Sequence, residues 1–338
     1  MIERIIYLPT LRCNCRCKHY GQNQWMESEC SPQLILDRIM ESRNIASFLS
    51  ISGGEPFLKE GLAEAVSNLV NNREINVEFT TNGTCLEQVK RLVELTRYKD
   101  RLAFSVSIDG LPETHNEIRQ NRTAFERAIE TVEYLKAENI DVKINTVVQQ
   151  RNIKELDEFN AYIEKRVPGV KISWIPLISE INGEEDFPYS DNEVSEISPR
   201  FQSEADQAYL KTKGKIKLQN CHAGQKSIAI APDGKVYSCL TGFSYKTLQL
   251  REKYMIGDLK SQSMDQVYKV IQSADAKFQN AVRACEGCWN PCEVFHEVDS
   301  WGLNLDELEK SVLKKEREQK KRKLKLKNRR QYFVAVLL

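Results

Sequence analysis

The sequence predicts an α/β fold, in which a partial (β/α)6 TIM-like barrel is followed by a small cysteine-rich α+β domain. First, short apolar, β-branched runs alternate with amphipathic stretches between Ile5 and Pro176, as in repeated βα units on a parallel sheet. Second, six such strands favour an open or partial barrel over a closed eight-stranded one. Third, the chain has 10 cysteines, several of them clustered beyond the alternating region.

Each predicted strand is a short apolar or β-branched run, and each predicted helix has an amphipathic pattern. The strands, in order, are Ile5–Leu8, Ser47–Ile51, Asn76–Phe79, Ala103–Ile108, Val142–Val148 and Val170–Ile175. The helices between and after them are Pro32–Arg43, Lys59–Asn72, Cys85–Tyr98, Thr123–Glu138 and Ile153–Arg166.

The alternation stops at an acidic, turn-rich stretch from Glu180 to Glu196, which predicts a connection between domains. Beyond it, the pattern predicts a helical piece near Asn192–Lys211 and a β-hairpin formed by Ser227–Ala231 and Val236–Cys239. The expected organisation is a barrel core over 1–179, a connection over 180–214, an auxiliary domain over 215–300, and a helix with a basic tail over 301–338.

Composition and charge narrow the functional class. The chain has 338 residues, 41% hydrophobic and 29% charged, which excludes collagen-like, low-complexity and wholly disordered proteins. No apolar run approaches the roughly 20 residues of a membrane span, and the first residues carry no secretion signal, so we expect a cytoplasmic protein. The net charge is +1, but Lys310–Arg330 holds 12 Lys or Arg against 2 Glu, which leaves an acidic body with a basic tail.

The cysteines are unusual for a chain without an export signal. Cytosolic thiols stay reduced, so clustered cysteines there bind metal or do chemistry more often than they form disulfides. Cys30 and Cys85 stand alone and are expected to be small buried residues. The clustered ones are Cys13, Cys15 and Cys17 near the start, and Cys221, Cys239, Cys285, Cys288 and Cys292 in the second half.

Unusual loops follow four of the predicted strands. The first strand leads into the amino-terminal cysteines, the second into Gly53-Gly54-Glu55-Pro56, the third into Thr81-Asn82-Gly83 and the fourth into Asp109-Gly110. Ligands gather at the carboxyl ends of parallel strands, so these loops predict a single site at one rim. Three thiolates from one loop would leave one iron of a four-iron cluster open to a substrate or cofactor.

Taken together, these motifs resemble the radical S-adenosylmethionine (radical SAM) family. They occur in family order and end with Ser105-Val106-Ser107-Ile108-Asp109-Gly110. The carboxyl-terminal cysteines are similar to the SPASM and twitch extensions of that family. The resemblance implies a [4Fe–4S] cluster whose open iron binds the amino and carboxylate groups of S-adenosylmethionine (SAM). Reduction of that cluster cleaves SAM to methionine and a 5′-deoxyadenosyl radical, which removes hydrogen from substrate.

The resemblance also implies a role for each matching residue. Backbone oxygens and a carboxylate suit an ammonium group, which places the loop after the second strand at the methionine end of SAM. The implied cluster ligands are Cys13 and Cys17. The implied SAM contacts are Gly53, Gly54, Glu55 and Pro56 at the amino group, Asn82, Ser107 and Asp109 near the carboxylate or ribose, Arg119 at the carboxylate, Asn145 at the ribose and His19 at the adenine.

Tyr20 occupies the position where the family has its third cysteine. A phenolate is a poor replacement for a soft thiolate on iron, although it binds ferric iron in catalase haem, so Tyr20 is expected to impair the amino-terminal cluster. Four interpretations stay open. They are an inactivated natural paralogue or sequence variant, a deliberate or accidental Cys-to-Tyr change, a cluster completed by Cys15, Cys30 or His19, and true tyrosine ligation.

The second cysteine group is expected to hold one auxiliary [4Fe–4S] cluster. The predicted hairpin brings Cys221 and Cys239 together, and Cys285 and Cys288 close the site. Cys292 is either exchanged with Cys288 as a ligand or a free thiol near substrate. Structural zinc is the main rival, because four thiolates suit it equally well.

Two functions follow from the resemblance, and Tyr20 discriminates between them. The first is an enzyme acting on a peptide or a small sugar or alcohol, with a low-potential electron donor such as a flavodoxin or ferredoxin. The second is a catalytically inactive descendant that binds SAM or a partner. A zinc-stabilised module whose tail contacts nucleic acid is a third interpretation. Because the chain begins at the first strand, leader-dependent peptide modification is less favoured.

The tail Lys320–Lys327 is expected to contact an anionic surface or to be a solvated helix end.

Overall fold

Strands and helices alternate through the first half of the chain. The computed structural model describes residues 2–18, 28–44, 48–177, 187–201, 204–213, 224, 226–238 and 254–273. The barrel elements are β1 (Arg4–Tyr7), α1 (Pro32–Glu41), β2 (Phe48–Ile51), α2 (Leu62–Asn72), β3 (Asn76–Thr81), α3 (Leu86–Leu95), β4 (Leu102–Ser107), α4 (Pro112–Arg119), α5 (Ala124–Ala137), β5 (Asp141–Val148), α6 (Leu156–Arg166) and β6 (Lys171–Pro176). After these come α7 (Asp191–Ile197), α8 (Glu204–Thr212), β7 (Ser227–Ile230), β8 (Lys235–Tyr237), β9 (Met255–Asp258) and α9 (Met264–Gln272).

All nine strands of the described residues belong to one sheet, in the order β6-β5-β4-β3-β2-β1-β7-β8-β9. Strands β1 to β6 pair in parallel with their neighbours along the chain. The predicted α/β fold with a partial barrel of six parallel βα units is therefore confirmed. None of the helices in the described ranges has the length and apolarity that a membrane span requires.

One face of the sheet is apolar and carries the helices. Val77, Phe79 and Thr81 of β3 are buried, whereas the intervening Glu78 and Thr80 are half-buried, because successive side chains of a strand point to opposite faces. Phe79 packs against Phe57 and Phe104, with ring centroids 5.0 Å apart in both pairs, and the rings of Phe57 and Phe104 lie 6.2 Å from each other, so the three rings form a cluster. The apolar side chains of α1, α2, α3 and α5 pack against this face and are buried there. Because the helices cover this face, the other, more polar face of the sheet and the ends of the strands are available to form a site.

The predicted hairpin is present, and its position was not foreseen. Strand β7 pairs in parallel with β1, with Arg4 opposite Ser227 and Tyr7 opposite Ile230, and β8 then pairs antiparallel with β7. The hairpin therefore extends the barrel sheet. The domain boundaries at 179, 214 and 300 stay predictions. Cys221, Cys239, Cys285, Cys288, Cys292 and the tail 301–338 lie outside the described residues.

The helical piece predicted near Asn192–Lys211 is present, but it is interrupted and is not one continuous helix. The chain forms α7, a 3₁₀ turn over Ser198–Arg200 and then α8. Pro199 has no backbone N–H to donate, so α7 cannot continue through it. Among the α-helices and strands of the described residues, three were not predicted: α4, β9 and α9.

Candidate functional site

The loop after β2 lies against the segment that leads into the amino-terminal cysteines. Gly54 N donates to the carbonyl oxygen of Thr10 at 3.0 Å, and Glu55 N donates to that of Arg12 at 2.8 Å. Gly53 has φ +131°, and a Cβ atom on Gly54 would overlap the Arg12 carbonyl oxygen. Only glycine allows this approach of two backbones. The glycine pair therefore brings the second loop against the first.

Glu55 joins the second loop to the third. Its side chain is 0% exposed, and its Oε1 accepts hydrogen bonds from Thr81 Oγ1 at 2.8 Å and Phe57 N at 3.2 Å. Its Oε2 accepts from Asn82 N at 2.7 Å. Burial raises the pKa of this carboxyl to about 7. Both carboxyl oxygens are thus occupied in holding the loop after β3.

The Asn82 side chain connects that loop to the cysteines. Its Nδ2 lies 3.7 Å from Cys13 Sγ and 3.5 Å from Cys15 Sγ, and it donates to Asn14 Oδ1 at 2.8 Å. Its Oδ1 accepts from Thr84 N at 2.9 Å, which fixes the orientation of the amide. Asn82 therefore presents N–H groups to two thiols.

A buried ion pair at the end of β4 lies next to the cysteine segment. Arg119 Nη2 is 2.7 Å from Asp109 Oδ2, and Asp109 is 0% exposed. Asp109 Oδ1 also accepts from Val147 N at 3.0 Å. Arg119 Nη1 is 3.6 Å from Cys17 Sγ. The pair therefore joins the end of β4 to the third cysteine of the segment, and Asp109 positions the guanidinium.

Helix α4 and the residues after it hold the cysteine segment in place. Arg16 N donates to the carbonyl oxygen of Arg119 at 3.0 Å, and Lys18 N donates to that of Ile118 at 2.9 Å. Asn121 Nδ2 lies 3.8 Å from Cys15 Sγ. No apolar period predicted this short helix. Its signal in the sequence is Pro112, the residue type favoured in the first helical turn.

The three thiols differ in acidity because of their surroundings. A hydrogen bond with the Cys15 thiol lowers the pKa of Cys13 to about 6, and the same contact raises the pKa of Cys15. Cys15 N also donates to Cys13 Sγ at 3.4 Å. Burial raises the pKa of Cys17, against the effect of Arg119. The Cys13 and Cys15 thiols therefore lose their first proton as a hydrogen-bonded pair.

Two other cysteines stand apart from this group. Cys30 is buried beside the hairpin, where its backbone N donates to the carbonyl oxygen of Pro232 at 2.7 Å. Cys85 is half-buried at the start of α3, with its Sγ 3.9 Å from Thr84 Oγ1. The expectation that both are small buried residues is confirmed for Cys30, whereas Cys85 is only half-buried.

Glu29 is a residue of the site that no motif indicated. Its Oε1 accepts from Thr10 Oγ1 at 2.6 Å, and its Oε2 is 2.9 Å from Lys59 Nζ, with both charged side chains largely buried. Burial raises the pKa of Glu29, but the hydrogen bonds from Thr10 and Lys59 outweigh it and lower the pKa overall. Glu29 follows residues 19–27, which include His19 and Tyr20 and lie outside the described residues.

On the polar face of the sheet, Asn145 lies beside Ser107 in the register of β4 and β5. Asn145 Oδ1 is buried and has no hydrogen-bond partner among the described residues. Ser107 is half-buried at the carboxyl end of β4. A buried acceptor without a donor is costly, so this position suits a ligand hydroxyl.

Family relationships agree with this geometry. Residues 7–163 match the radical SAM superfamily, and residues 221–289 match SPASM, an iron-sulfur cluster-binding domain. The chain therefore contains a region that matches radical SAM proteins and, after it, a region that matches the SPASM domain. The predicted resemblance is thereby confirmed, and the two domains imply SAM and [4Fe–4S] clusters as cofactors.

Individual relatives match parts of the chain. The AdoMet-dependent heme synthase of Methanosarcina barkeri is 33% identical over 153 residues, which are 44% of this chain and 43% of the relative. The mycofactocin maturase MftC of Mycobacterium ulcerans is 26% identical over 77% of this chain and 72% of the relative. Streptococcus suis SuiB bound to precursor peptide SuiA has TM-score 0.61 and 14% identity, covering 84% of this chain and 67% of SuiB. The first curated relatives are matched over less than half of their own length.

The chemistry of the side chains at the rim fits the implied cluster. In the part of the chain that the structure describes, no three or more His, Cys, Asp or Glu side chains surround a single metal ion. A four-iron cluster does not need its ligands around one ion. It needs separate thiolates for separate irons, and N–H groups nearby that hydrogen-bond the sulfurs. Cys13 and Cys17, with Asn82 and Arg119 beside them, supply both kinds of group.

Proposed function

We propose that this radical SAM protein reductively cleaves SAM and removes a hydrogen atom from a peptide or a small sugar or alcohol. The observation that carries the proposal is the meeting of four loops at one rim of the barrel. Glu55 and Asn82 link the second and third loops to the cysteine segment, and Arg119 links that segment to Asp109. Such a rim is where parallel α/β folds bind their ligands.

The implied cluster and the chain have separate tasks. When bound and reduced, the cluster supplies one electron to the sulfonium of SAM, giving methionine and a 5′-deoxyadenosyl radical that becomes 5′-deoxyadenosine by taking hydrogen from substrate. The residues of the chain bind the cluster and SAM and orient them. Cys13 and Cys17 are proposed to ligate the cluster, and Asn82 to hydrogen-bond its thiolates. Because Asn82 faces the thiols, we assign it this role in place of a contact with the SAM carboxylate or ribose.

The loop after β2 is proposed to bind the methionine amino group through backbone oxygens. The Glu55 carboxylate is enclosed by its three donors, so the carbonyl oxygens of Gly53 and Gly54 are the acceptors left for an ammonium group. Pro56 begins a 3₁₀ turn and fixes the backbone dihedral φ at the end of the loop. Glu55 thus acts as a positioning residue.

The remaining SAM contacts are proposed along β4 and β5. Arg119, held by Asp109, is proposed to bind the SAM carboxylate beside Cys17. Asn145 Oδ1 is proposed to accept a hydrogen bond from a ribose hydroxyl, with Ser107 next to it. His19 is proposed to approach the adenine.

The second cysteine group is proposed to hold one auxiliary [4Fe–4S] cluster. The match of residues 221–289 to the iron-sulfur cluster-binding domain supports this proposal over structural zinc. The ligands are Cys221, Cys239, Cys285 and Cys288, with Cys292 as the alternative to Cys288. A flavodoxin or ferredoxin is proposed as electron donor. We infer a cytoplasmic location, because these thiols must stay reduced.

Among the substrate classes, a peptide is favoured by the similar proteins. One relative is named a mycofactocin maturase, and a protein of the same fold has been solved with a precursor peptide. The basic tail Lys320–Lys327 is proposed to contact an anionic surface.

The proposal is tested by SAM cleavage in the anaerobically reconstituted full chain. With dithionite as reductant, we expect 5′-deoxyadenosine from the protein as it is and from Tyr20→Cys. Asn145→Ala should bind SAM roughly 10-fold more weakly, the equivalent of one lost hydrogen bond, while the exposed Asn72→Ala should bind it normally.

Formation of 5′-deoxyadenosine by Tyr20→Cys alone would support the second function, a catalytically inactive descendant. Absence of the product from both proteins, each with full iron content, would contradict the proposed enzyme.

A further inference from the structure

We infer that His115 of α4 is a positioning residue for SAM binding. It fixes the main chain of Asp109, whose carboxylate in turn orients the Arg119 guanidinium. This inference rests on the proposed function, in which Arg119 binds the SAM carboxylate. His115 acts through Asp109 and Arg119 and does not itself touch SAM.

The His115 ring is fixed inside the molecule. It is 1% exposed, and it packs edge-on against the ring of Phe125, with the ring centroids 5.8 Å apart. Its Nδ1 accepts a hydrogen bond from Asp109 N at 2.9 Å. A backbone N–H can only donate, so Nδ1 carries no proton and the ring is neutral, with its proton on Nε2. His115 therefore serves Asp109 as an acceptor.

Two side chains hold the main chain of Asp109. While His115 binds its N–H, the carbonyl oxygen accepts from Asn152 Nδ2 at 2.6 Å. The next residue, Gly110, has φ +145°, which residues with a Cβ atom rarely adopt. Strand β4 ends at Ser107, so Asp109 lies beyond the strand. Its main chain therefore depends on His115 and Asn152 for its position.

His115 and Arg119 contact Asp109 from the same helix. They lie four residues apart on α4, so they share one face of it, and both are buried. His115 binds the main chain of Asp109, and Arg119 Nη2 lies 2.7 Å from its Oδ2. The His115 bond thus sets the distance between α4 and the end of β4. That distance aligns the guanidinium, whose Nη1 is 3.6 Å from Cys17 Sγ.

The test compares binding of SAM and of decarboxylated SAM to the anaerobically reconstituted full chain, by equilibrium dialysis, with urea unfolding of each variant. His115→Leu fills the same space but accepts no hydrogen bond. It should bind SAM about 10-fold more weakly, the equivalent of one lost hydrogen bond. It should bind decarboxylated SAM as the native protein does, because that ligand has no carboxylate for Arg119. His115→Asn should bind both ligands normally, since its amide oxygen takes the place of Nδ1.

Thr114→Val is the matched control on the same helix. It removes the hydrogen bond from Thr114 Oγ1 to Glu155 Oε2, 2.8 Å long, and leaves the contacts of Asp109 in place. This variant should bind both ligands normally. If His115→Leu does not fold, His115→Gln replaces it in the comparison, because the glutamine amide lies at the position of Nε2 and not of Nδ1.

Normal SAM binding by His115→Leu overturns the inference. Equal weakening of both ligands, or no recovery in His115→Asn, also overturns it, since a histidine that only stabilises the fold gives those results. Arg119→Gln separates this inference from the proposed function. Normal SAM binding by Arg119→Gln would contradict the proposed carboxylate contact. Weak SAM binding by Arg119→Gln together with normal binding by His115→Leu would overturn the role of His115 alone.

Discussion

Glu55→Gln tests how the loops of the site are held, because it keeps the shape of the side chain and removes its charge. In the native protein, Oε1 accepts from Thr81 Oγ1 and Phe57 N, and Oε2 accepts from Asn82 N. A glutamine has only one oxygen. Its NH₂ group must face either Phe57 N or Asn82 N, so one buried backbone N–H loses its acceptor. The expected cost is about 1–3 kcal/mol.

The same substitution changes how stability depends on pH. Burial raises the pKa of Glu55 to about 7, from 4.5 in an exposed chain. Between these values the native protein holds a proton that the unfolded chain releases, so the contribution of Glu55 to the free energy of unfolding falls as pH rises. One pKa unit is worth about 1.4 kcal/mol, so the fall totals about 3 kcal/mol. Glutamine does not titrate, so the free energy of unfolding of Glu55→Gln should lack this decrease with pH.

Anaerobic urea unfolding between pH 5.5 and 8 measures both effects. Glu55→Gln should be less stable than the native protein at pH 5.5, and the difference should shrink or vanish by pH 8. The exposed neighbour Glu60→Gln should follow the native protein throughout. A Glu55→Gln variant that keeps the native pH dependence would refute the role of the buried carboxyl.

Three further substitutions test the core and the close contacts. Phe79→Ala removes one ring of the three-ring cluster with Phe57 and Phe104 and should cost about 3–5 kcal/mol in urea unfolding; a cost under about 1 kcal/mol would contradict the packing. Gly54→Ala should lower iron content, because its Cβ has no room, whereas Gly61→Ala, which strains a backbone φ of +76° but meets no neighbouring atom, should not; equal iron content in both would count against the contact. Burial raises the pKa of Asp206 to about 8, so Asp206→Asn should remove a fall in stability between about pH 4 and pH 8, and an unchanged pH profile would count against this shift.

Much of the fold could be read from local patterns. Strands β1 to β6 lie within two residues of their predicted bounds, because each combines an apolar run with flanking turn residues. The rim was predictable for a related reason, since loops that follow parallel strands must end at the same edge. Gly53, Glu55, Asn82 and Asp109 follow three of these strands and lie at that edge.

Other features depend on contacts between distant residues and had no local signal. Strand β7 pairs with β1 across more than half of the chain, which no period in the sequence encodes. The inward direction of the Glu55 carboxylate depends on donors from β3, and Asn121 reaches Cys15 only because α4 docks on the cysteine segment. Such positions are set by tertiary packing.

EPR of the reduced protein with and without SAM tests the central claim most directly, namely that the rim holds a four-iron cluster with an iron open to SAM. We expect a reduced [4Fe–4S] signal whose g values change when SAM is added, on top of an auxiliary-cluster signal that does not change. An EPR spectrum that is identical with and without SAM, in protein holding about eight irons per chain, would contradict the account.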